Sequence, residues 1–510
     1  MVLHSLGRAC AVASLRGGMI ARKSGLDHSI GGIMATMAPV RPATETPRAN
    51  PAETFARFAH GLRHDDIPDA VRGRSLYHVL DALGLALAAS RRQFARKAHD
   101  GLAVLAAPGP VPVFGFGTAW NPRDAALLNG LLCHGLDYDD THLRAVVHPT
   151  TCAWPTALSA AVLAERSGRD LLTAFLIGVE VGCRLGAVAH GAFHQIGFHP
   201  TGICNIFGAA LATGRLLGLD EAALRQSQGI ALSLASGSLE FLEDGAWTKR
   251  LHPGWSAAAG ITAAALAKGG YVGATRPYDG RFGLFRAFLG GDDAACDYGA
   301  IADELGRSWA ILDTAIKPFP ACHLAHGCIE AAIDLAREGG IEPAHIRRIL
   351  ALVPAEAVTT ICEPLQNKRR PRNAYEAQFS TPYLVATALL RGRLTLDELE
   401  PPALADRATL RLAALADYAA DPASGFPRHY SGEVVLEFDD GSTRRARRQV
   451  NRGAPDAPLT DDEIVAKFHD NAVPVVGADR AADMAALILS LDTDRAARDL
   501  ARGLTRLDMT

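Results

Sequence analysis

Residues 171–186 read LLTAFLIGVEVGCRLG, and this stretch indicates a fold built from closely packed helices. Glycines recur every four residues from 178 to 186, which places small side chains on one stripe of a helix and lets a neighbouring helix approach closely. Glu180 and Arg184 interrupt the apolar run, so it falls short of the roughly 20 apolar residues of a membrane span. We therefore predict a buried helix.

The sequence on both sides of this stretch has a similar composition and periodicity. Alanine-rich segments with helical periodicity lie at 124–134, 152–167, 171–190, 205–217, 221–237 and 255–268. Strand-like alternation is missing from these segments. Residues 51–313 are therefore predicted to form one large all-helical domain.

Beyond residue 314 the sequence predicts both strands and helices. Residues 346–353 (IRRILALV) predict a strand, and the alternation at 434–438 followed by Asp440-Gly441 predicts a hairpin. Helices are predicted for 323–337, 374–391 and 403–420. Residues 314–458 are thus predicted to form a smaller α+β domain. Thr460 is a predicted N-cap, and the helical tail 459–510 is expected to complete the first domain. The predicted fold class is mainly α.

Composition narrows the range of functions. The chain has 510 residues and a formal net charge of -3, which gives no indication of a nucleic-acid or membrane partner. Its nine cysteines contain no CxxC pair, as is typical of reduced thiols rather than of an iron–sulfur protein. The predicted location is cytoplasmic.

Residues 1–50 differ from the rest of the chain. They are basic and carry little apolar periodicity, a composition that resembles a transit peptide. We expect instead a disordered tail, or a start codon placed too early, and leave the segment out of the fold.

The densest polar stretch is 133–151, CHGLDYDDTHLRAVVHPTT. Histidine beside aspartate is the usual pair for acid–base catalysis, because burial and neighbouring charge bring the pKa of such groups toward neutrality. The same residue types also bind metal ions, although no HExxH spacing is present. A solvated loop with helix caps is the third interpretation.

Further candidates stand in four other stretches, each with a purely structural alternative. These are His199 and Thr201 in 197–208 (an N-cap), Lys249 in 244–255 and Lys317 in 317–326 (solvated charges), and Tyr383 in 377–386 (a core tyrosine). Two lysines in apolar loops would suit a substrate with two or three carboxylates, because a desolvated ammonium group needs an anionic partner.

Taken together, these stretches resemble the MmgE/PrpD family, which includes 2-methylcitrate dehydratase, cis-aconitate decarboxylase and an iminodisuccinate epimerase. The motifs that carry the resemblance are LDYDDTHLRAVVHP, GFHPTGICNIFGAALATGRLLGL, DGAWTKRLHPGWSAAAGITAAALA, KPFPACHLAHGCIEAA and AQFSTPYLVA. The resemblance covers residues 53 to about 470. It implies that the α+β domain is a lid over the helical domain, that the active site lies between them, and that the protein is a homodimer.

The resemblance also implies a set of functional residues. The catalytic residues would be His148, Asp137, Lys249 and Lys317, and the substrate-binding residues would be Thr141, His199 and Tyr383. In this hypothesis Asp137 orients His148 for proton transfer, while the lysines hold the carboxylates of a small citrate-like substrate.

The implied activity is that of a lyase that needs no metal or other cofactor and that dehydrates or decarboxylates its substrate. An epimerase of a dicarboxylate, and an inactive ligand-binding relative, are the alternatives.

Overall fold

The computed structural model describes residues 50–505, and most of these residues lie in helices, so the predicted mainly α class is confirmed. Nearly all of the predicted N-terminal tail therefore lies outside the described residues. The first part of the chain is built mainly from long helices. Its elements are α1 (Pro51–Gly61), α2 (Asp69–Ser90), α3 (Gln93–Ala103), β1 (Pro108–Val113), β2 (Thr118–Trp120), α4 (Pro122–His134), β3 (Thr141–His142), α5 (Thr150–Leu163), α6 (Gly168–Val188), α7 (Ala192–Ile196), α8 (Pro200–Leu216), α9 (Glu221–Leu232), α10 (Phe241–Asp244), α11 (Thr248–Lys268), α12 (Leu284–Phe288) and β4 (Thr314–Ala315).

Helix α6 contains the glycine stripe, and α8 packs against it. A Cβ atom added to Gly208 of α8 would lie 2.3 Å from the Gly178 carbonyl oxygen, and one added to Gly182 would lie 2.3 Å from Asn205 Oδ1. The two helices approach this closely only because these positions carry no side chain. The predicted role of the glycine stripe is confirmed.

By length and composition, α6 is the one helix among residues 50–505 that could cross a membrane. The apolar segment of α6 is fully buried by other parts of the protein, as the sequence predicted for a core helix. The cytoplasmic location stays a prediction.

The hairpin β1–β2 contradicts the prediction that residues 51–313 are all-helical. The two strands pair in antiparallel fashion, with Val113 opposite Thr118. Prolines at 108, 110 and 112 prevent a helix here, since proline lacks the backbone N–H that a helix interior requires. Asn129 of α4 stabilises the hairpin by donating to the Pro112 carbonyl at 2.7 Å.

The second part of the chain wraps short helices around a four-stranded sheet. Its elements are α13 (His326–Glu338), β5 (Ile346–Val353), α14 (Val358–Ile361), α15 (Leu365–Arg369), α16 (Ala374–Gln378), α17 (Thr381–Arg391), α18 (Pro401–Leu404), α19 (Arg407–Leu415), β6 (Ala416–Ala420), β7 (Gly432–Phe438) and β8 (Thr443–Arg448). The strand order is β6-β5-β7-β8, and both the strand at 346–353 and the β7–β8 hairpin are confirmed. The helix predicted for 403–420 is wrong at its end, because Ala416–Ala420 pairs in parallel with β5.

Three helices follow the sheet, and short 3-10 turns connect several elements. The helices are α20 (Asp461–Val476), α21 (Ala478–Leu489) and α22 (Ala497–Thr505). The 3-10 turns are His64–Asp66, Tyr298–Ile301, His323–Ala325, Pro343–His345, Ala355–Ala357 and Asp397–Leu399. Thr460 caps α20 by accepting from the Glu463 N–H, so the predicted N-cap is confirmed.

The buried apolar side chains form two large clusters. One draws on residues between 52 and 311 and again between 468 and 504, whereas the other draws mainly on residues 319–438. The site described below lies where the two parts of the chain meet. The domain boundaries, the function of 314–458 as a lid and the homodimer stay predictions.

Candidate active site

Asp137 lies at the centre of the site, in the turn that follows α4. Its Oδ1 atom lies 2.5 Å from Lys249 Nζ and 3.3 Å from Lys317 Nζ, and Lys317 also donates to the Asp137 backbone carbonyl at 2.9 Å. Lys249 stands in the first turn of α11, and Lys317 follows β4, whose pairing with β3 ties it to the same loop. The fold thus brings together three of the predicted residues.

The backbone of Asp137 adopts a φ of 51°, in the left-handed region that aspartate tolerates better than most residues. Burial alone would raise the pKa of its carboxyl group, but the ammonium groups of Lys249 and Lys317 outweigh burial and hold that pKa well below its usual range. One carboxylate therefore faces two ammonium groups, and the trio carries an excess positive charge. Asp137 Oδ2 is buried and has no hydrogen-bond partner among the described residues.

His148 lies beside this trio, and its Nδ1 atom is surrounded by acceptors. Nδ1 lies 2.8 Å from the Asp140 backbone carbonyl, 3.0 Å from Asp139 Oδ2 and 3.3 Å from Thr141 Oγ1. A backbone carbonyl can only accept, so Nδ1 carries a hydrogen and Nε2 is the ring nitrogen left to face a ligand. The hypothesis that Asp137 orients His148 is wrong, because the carboxylate in contact with the ring belongs to Asp139.

Asp139 also contacts a second imidazole. His134 Nδ1 lies 2.8 Å from Asp139 Oδ2, while His134 Nε2 is buried and lacks a partner among residues 50–505. Burial lowers the pKa of His134 to about 4 despite the nearby carboxylate. For Asp139, burial would raise the pKa, but the adjacent imidazoles of His134 and His148 outweigh it and hold that pKa well below its usual range. An ionised carboxylate thus supports both rings.

His199 stands at the N-cap position of α8, where its side chain forms no capping hydrogen bond, and it pairs with His252. Their Nδ1 atoms lie 2.9 Å apart, so one donates and the other accepts. Burial, the neighbouring His252 and the Lys249 charge hold the pKa of His199 well below its usual range, and burial lowers that of His252 to about 4. Both rings are therefore neutral near pH 7, and the ring whose Nδ1 accepts carries an Nε2–H that it can donate without adding charge.

Three of these histidines could hold a metal ion. One ligand nitrogen from each of His134, His148 and His199 lies within 4.8 Å of the others, and all three rings are buried. Imidazole nitrogens supported by a carboxylate are typical ligands of zinc and related metals. Metal independence therefore stays a prediction.

Thr201 supports the site rather than facing a ligand. Its Oγ1 atom accepts from the His148 backbone N–H at 3.1 Å, and Asn205 donates to the His148 backbone carbonyl at 3.0 Å. Both contacts fix the position of His148 from the first turns of α8.

Tyr383 does not join the other predicted residues. Its side chain is buried in the second apolar cluster, and its hydroxyl donates to the Glu398 backbone carbonyl at 2.8 Å. This contradicts its predicted contact with substrate in favour of the alternative, a core tyrosine. The tyrosine that lines the cavity is Tyr430, whose hydroxyl donates to the Leu143 carbonyl at 3.0 Å.

The site encloses a cavity of about 50 Å³. Its lining includes all the predicted residues except Tyr383, namely Asp137, Thr141, His148, His199, Lys249 and Lys317. Leu239, Phe241 and Phe379 line both this cavity and a wider cleft of about 940 Å³ that opens beside it. A ring the size of benzene occupies a cavity of about 150 Å³, so a tricarboxylate requires these apolar side chains to move.

Sequence reasoning missed several residues at the site. Asp139 and His134 lie within the polar stretch 133–151, but the sequence does not show which acid faces which ring. His323 and Tyr430 also line the cavity. His323 lies within the stretch 317–326 but was not predicted as a site residue, and Tyr430 lies in none of the motifs.

Two family models match this chain. The MmgE/PrpD N-terminal domain matches residues 53–297, and the MmgE/PrpD C-terminal domain matches residues 319–493. Together they cover most of the described residues, including every residue that lines the cavity except Lys317, which lies between the two matched ranges.

Curated relatives match over nearly their whole length. A cis-aconitate decarboxylase-like protein of Aspergillus oryzae is 28% identical, over 88% of this chain and 96% of its own. The cis-aconitate decarboxylase of Aspergillus terreus is 28% identical over 86% of this chain and 92% of its own, and that of Mus musculus is 28% identical over 86% and 90%.

Proposed function

Because the chain belongs to the MmgE/PrpD family, as its motifs predicted, we propose that it is a carboxy-lyase that removes CO2 from a small unsaturated tricarboxylate of the cis-aconitate type. The observation that carries this proposal is the buried trio of Asp137, Lys249 and Lys317 beside the proton-carrying ring of His148. The relatives named as cis-aconitate decarboxylases favour decarboxylation over dehydration.

The trio suits a substrate with several negative charges. Lys317 is 1% exposed and Lys249 is 6% exposed, so each ammonium group has lost nearly all of its water. Among the described residues, Asp137 is the only acid that pairs with either lysine, and uncompensated buried charge is costly. A substrate carboxylate supplies the second negative charge, and neutral His199 can add a hydrogen bond.

The same charges stabilise the reaction. Cis-aconitate carries a CH2-carboxylate next to a carbon–carbon double bond. When CO2 leaves, the electron pair of the broken bond forms a new double bond, and the displaced pair moves to the carbon beside another carboxylate. The lysines stabilise this developing negative charge, and fixed charges in a buried cavity do so with little reorganisation.

His148 supplies the proton that completes the reaction. Its Nδ1–H is held by Asp139 and by the Asp140 carbonyl, so the proton on Nε2 is the one available for transfer. The carbanion takes this proton, and a proton from solvent restores the imidazolium. One CO2 is released and one proton is consumed for each substrate.

The proposal is tested by following purified, EDTA-treated protein with cis-aconitate by NMR. We expect new terminal-alkene signals and one CO2 released per substrate consumed. Hydration to a hydroxy-tricarboxylate would identify a hydro-lyase instead, and turnover only after Zn²⁺ is added would contradict metal independence. No turnover by folded protein would contradict the proposed substrate.

A lysine variant tests the roles assigned within the trio. Lys317→Met removes one ammonium group while keeping most of the length of the side chain, and we expect kcat/KM to fall roughly 100-fold or more. The matched control is Lys268→Met at the exposed end of α11, which should leave kcat/KM unchanged. Retention of activity by Lys317→Met would show that the trio does not bind the reacting anion.

A further inference from the structure

A second cavity of about 1120 Å³ lies beside the start of α3 and the start of α11. It shares no lining residue with the cavity that holds Asp137 and His148. Its walls also include residues 370–375 and parts of 396–410. The cavity is large enough for a ligand of nucleotide size.

The charge of this cavity is unbalanced. Seven cationic side chains line it, four of them from residues 91–97, two from 370–372, and Arg250, whereas Asp100 and Glu400 are its acids. The whole chain, by contrast, has a formal net charge of -3. Such a local excess creates a positive potential that attracts anions.

Few of these cations are neutralised by the protein. Arg92 pairs with Glu400, and Arg372 pairs with Glu376 outside the cavity. Arg96, Lys97 and Arg370 form no ion pair within residues 50–505, and all three are exposed. Their charges are therefore available to a ligand.

Arg250 gives this cavity a buried, incompletely satisfied cation. It is 6% exposed, and its Nε donates to the Gly135 carbonyl at 2.8 Å. Its guanidinium carbon lies 4.1 Å from the centre of the Phe94 ring and 4.4 Å from that of Tyr375. Nη1 is buried and has no acceptor among the described residues. A desolvated guanidinium of this kind is stabilised by an anion, which its planar fork binds well.

Aromatic side chains lie beside the cations of this cavity. Trp247 is 45% exposed and lines the cavity beside Phe94, with ring centres 6.3 Å apart. An exposed indole next to arginines offers a stacking surface for a flat heterocycle. We propose that this cavity is a binding site for a nucleoside polyphosphate, with the phosphates on the arginine cluster and the base against Trp247.

Isothermal titration of the full chain with ATP in EDTA tests the proposal without using enzymatic turnover. We expect saturable binding that weakens as salt rises, because screening reduces the attraction of the cations. Adenosine should not bind measurably, and inorganic tripolyphosphate and citrate should bind more weakly than ATP. No saturable ATP binding would overturn the proposal, and equal binding of tripolyphosphate or citrate would overturn the assignment of the base to Trp247.

Exposed residues allow a variant that does not threaten folding. We expect Arg96→Ala, Lys97→Ala and Arg370→Ala together to weaken ATP binding about 10-fold or more. The control combines Arg307→Ala, Arg407→Ala and Lys268→Ala, which removes the same charges at exposed positions outside the cavity. ATP binding that the first variant retains would place the nucleotide elsewhere and overturn the proposal.

Discussion

Asp139 accepts hydrogen bonds from His134 and His148, and the proposed proton transfer depends on it. We expect Asp139→Asn to lower kcat/KM about 100-fold, because the imidazolium of His148 loses the charge that stabilises it. For the same reason the alkaline limb of the pH profile should move to lower pH. Kinetics across pH on the substrate identified by NMR measure both effects.

The neighbouring Asp140 provides a control of the same chemistry. Its carboxylate accepts from His78 at 2.7 Å and from the Thr150 hydroxyl, and only its backbone carbonyl contacts His148. Asp140→Asn should lower the melting temperature but leave the position of the alkaline limb unchanged. If Asp139→Asn also left that limb in place, Asp139 would not be positioning the proton-transfer ring.

For Tyr383, the role implied by the family motif and the position in the structure disagree. Its hydroxyl donates to Glu398 inside the second apolar cluster, so Tyr383→Phe should cost about 1 kcal/mol of stability through one lost hydrogen bond. We expect kcat/KM to change less than about twofold, since a phenol outside the cavity adds nothing to transition-state binding. Chemical denaturation and steady-state kinetics test the two parts. A large loss of activity with full stability would restore its predicted contact with substrate.

The residues of the site could be predicted to different degrees. The resemblance implied that Asp137, Lys249 and Lys317 belong to one site, but it assigned Asp137 to His148, so the pairing of Asp137 with the two lysines was not predicted. The pairing of His148 with Asp139 depends on a turn with left-handed backbone at Asp137, which no local pattern reveals. Tyr430 reaches the cavity from a loop almost 300 residues away from the polar stretch, so only the tertiary fold places it there.

Among the elements, α6 and α8 pack at the closest distance that their backbones permit. Gly208→Ala would put a Cβ atom 2.3 Å from the Gly178 carbonyl oxygen, and backbone on both sides leaves little room to move. We expect a loss of about 1–3 kcal/mol in the free energy of unfolding. Denaturant unfolding monitored by circular dichroism measures this value.

Gly73 of α2 is the matched control, because nothing lies within 4 Å of its added Cβ atom. Gly73→Ala should leave stability unchanged or raise it by up to about 1 kcal/mol, through better helix propensity. Equal effects of the two substitutions would show that the α6–α8 contact is not tight.

The predictions were correct for helices with apolar residues at helical spacing over many residues. They were wrong where a strand forms by pairing with a strand far away in the sequence. The helices α4, α5 and α6 are alanine-rich segments with apolar residues at helical spacing, and Thr460 is a local capping signal at the start of α20. Strand β6 follows α19 without a break in composition, and its parallel partner β5 lies more than 60 residues earlier. Such non-local pairing overrides local propensity.

At the scale of the whole molecule, buried ionisable groups link stability to pH. Burial is the main cause that lowers the pKa of five histidines to about 3 or 4; these are His134, His142, His194, His252 and His326. Two buried acids act in the opposite sense, since burial raises the pKa of Asp81 to about 6 and that of Glu180 to about 7.

These shifts predict that the protein loses stability as pH falls from 6.5 toward 4.5. In that window an unfolded histidine, with a pKa of about 6.5, takes up a proton while the folded one does not, so each contributes up to about 1.4 kcal/mol per pH unit in favour of unfolding. Asp81 and Glu180 bind protons in the folded state and oppose this trend, but the histidines outnumber them. Melting temperatures measured at intervals from pH 7 to pH 4.5 should therefore fall steadily, and calorimetry in buffers of different ionisation enthalpy should show protons taken up on unfolding. A melting temperature that is flat or rises toward pH 4.5 would mean that the buried histidines are already charged in the folded protein, and the assignment of neutral His134 and His252 to the active site would be wrong.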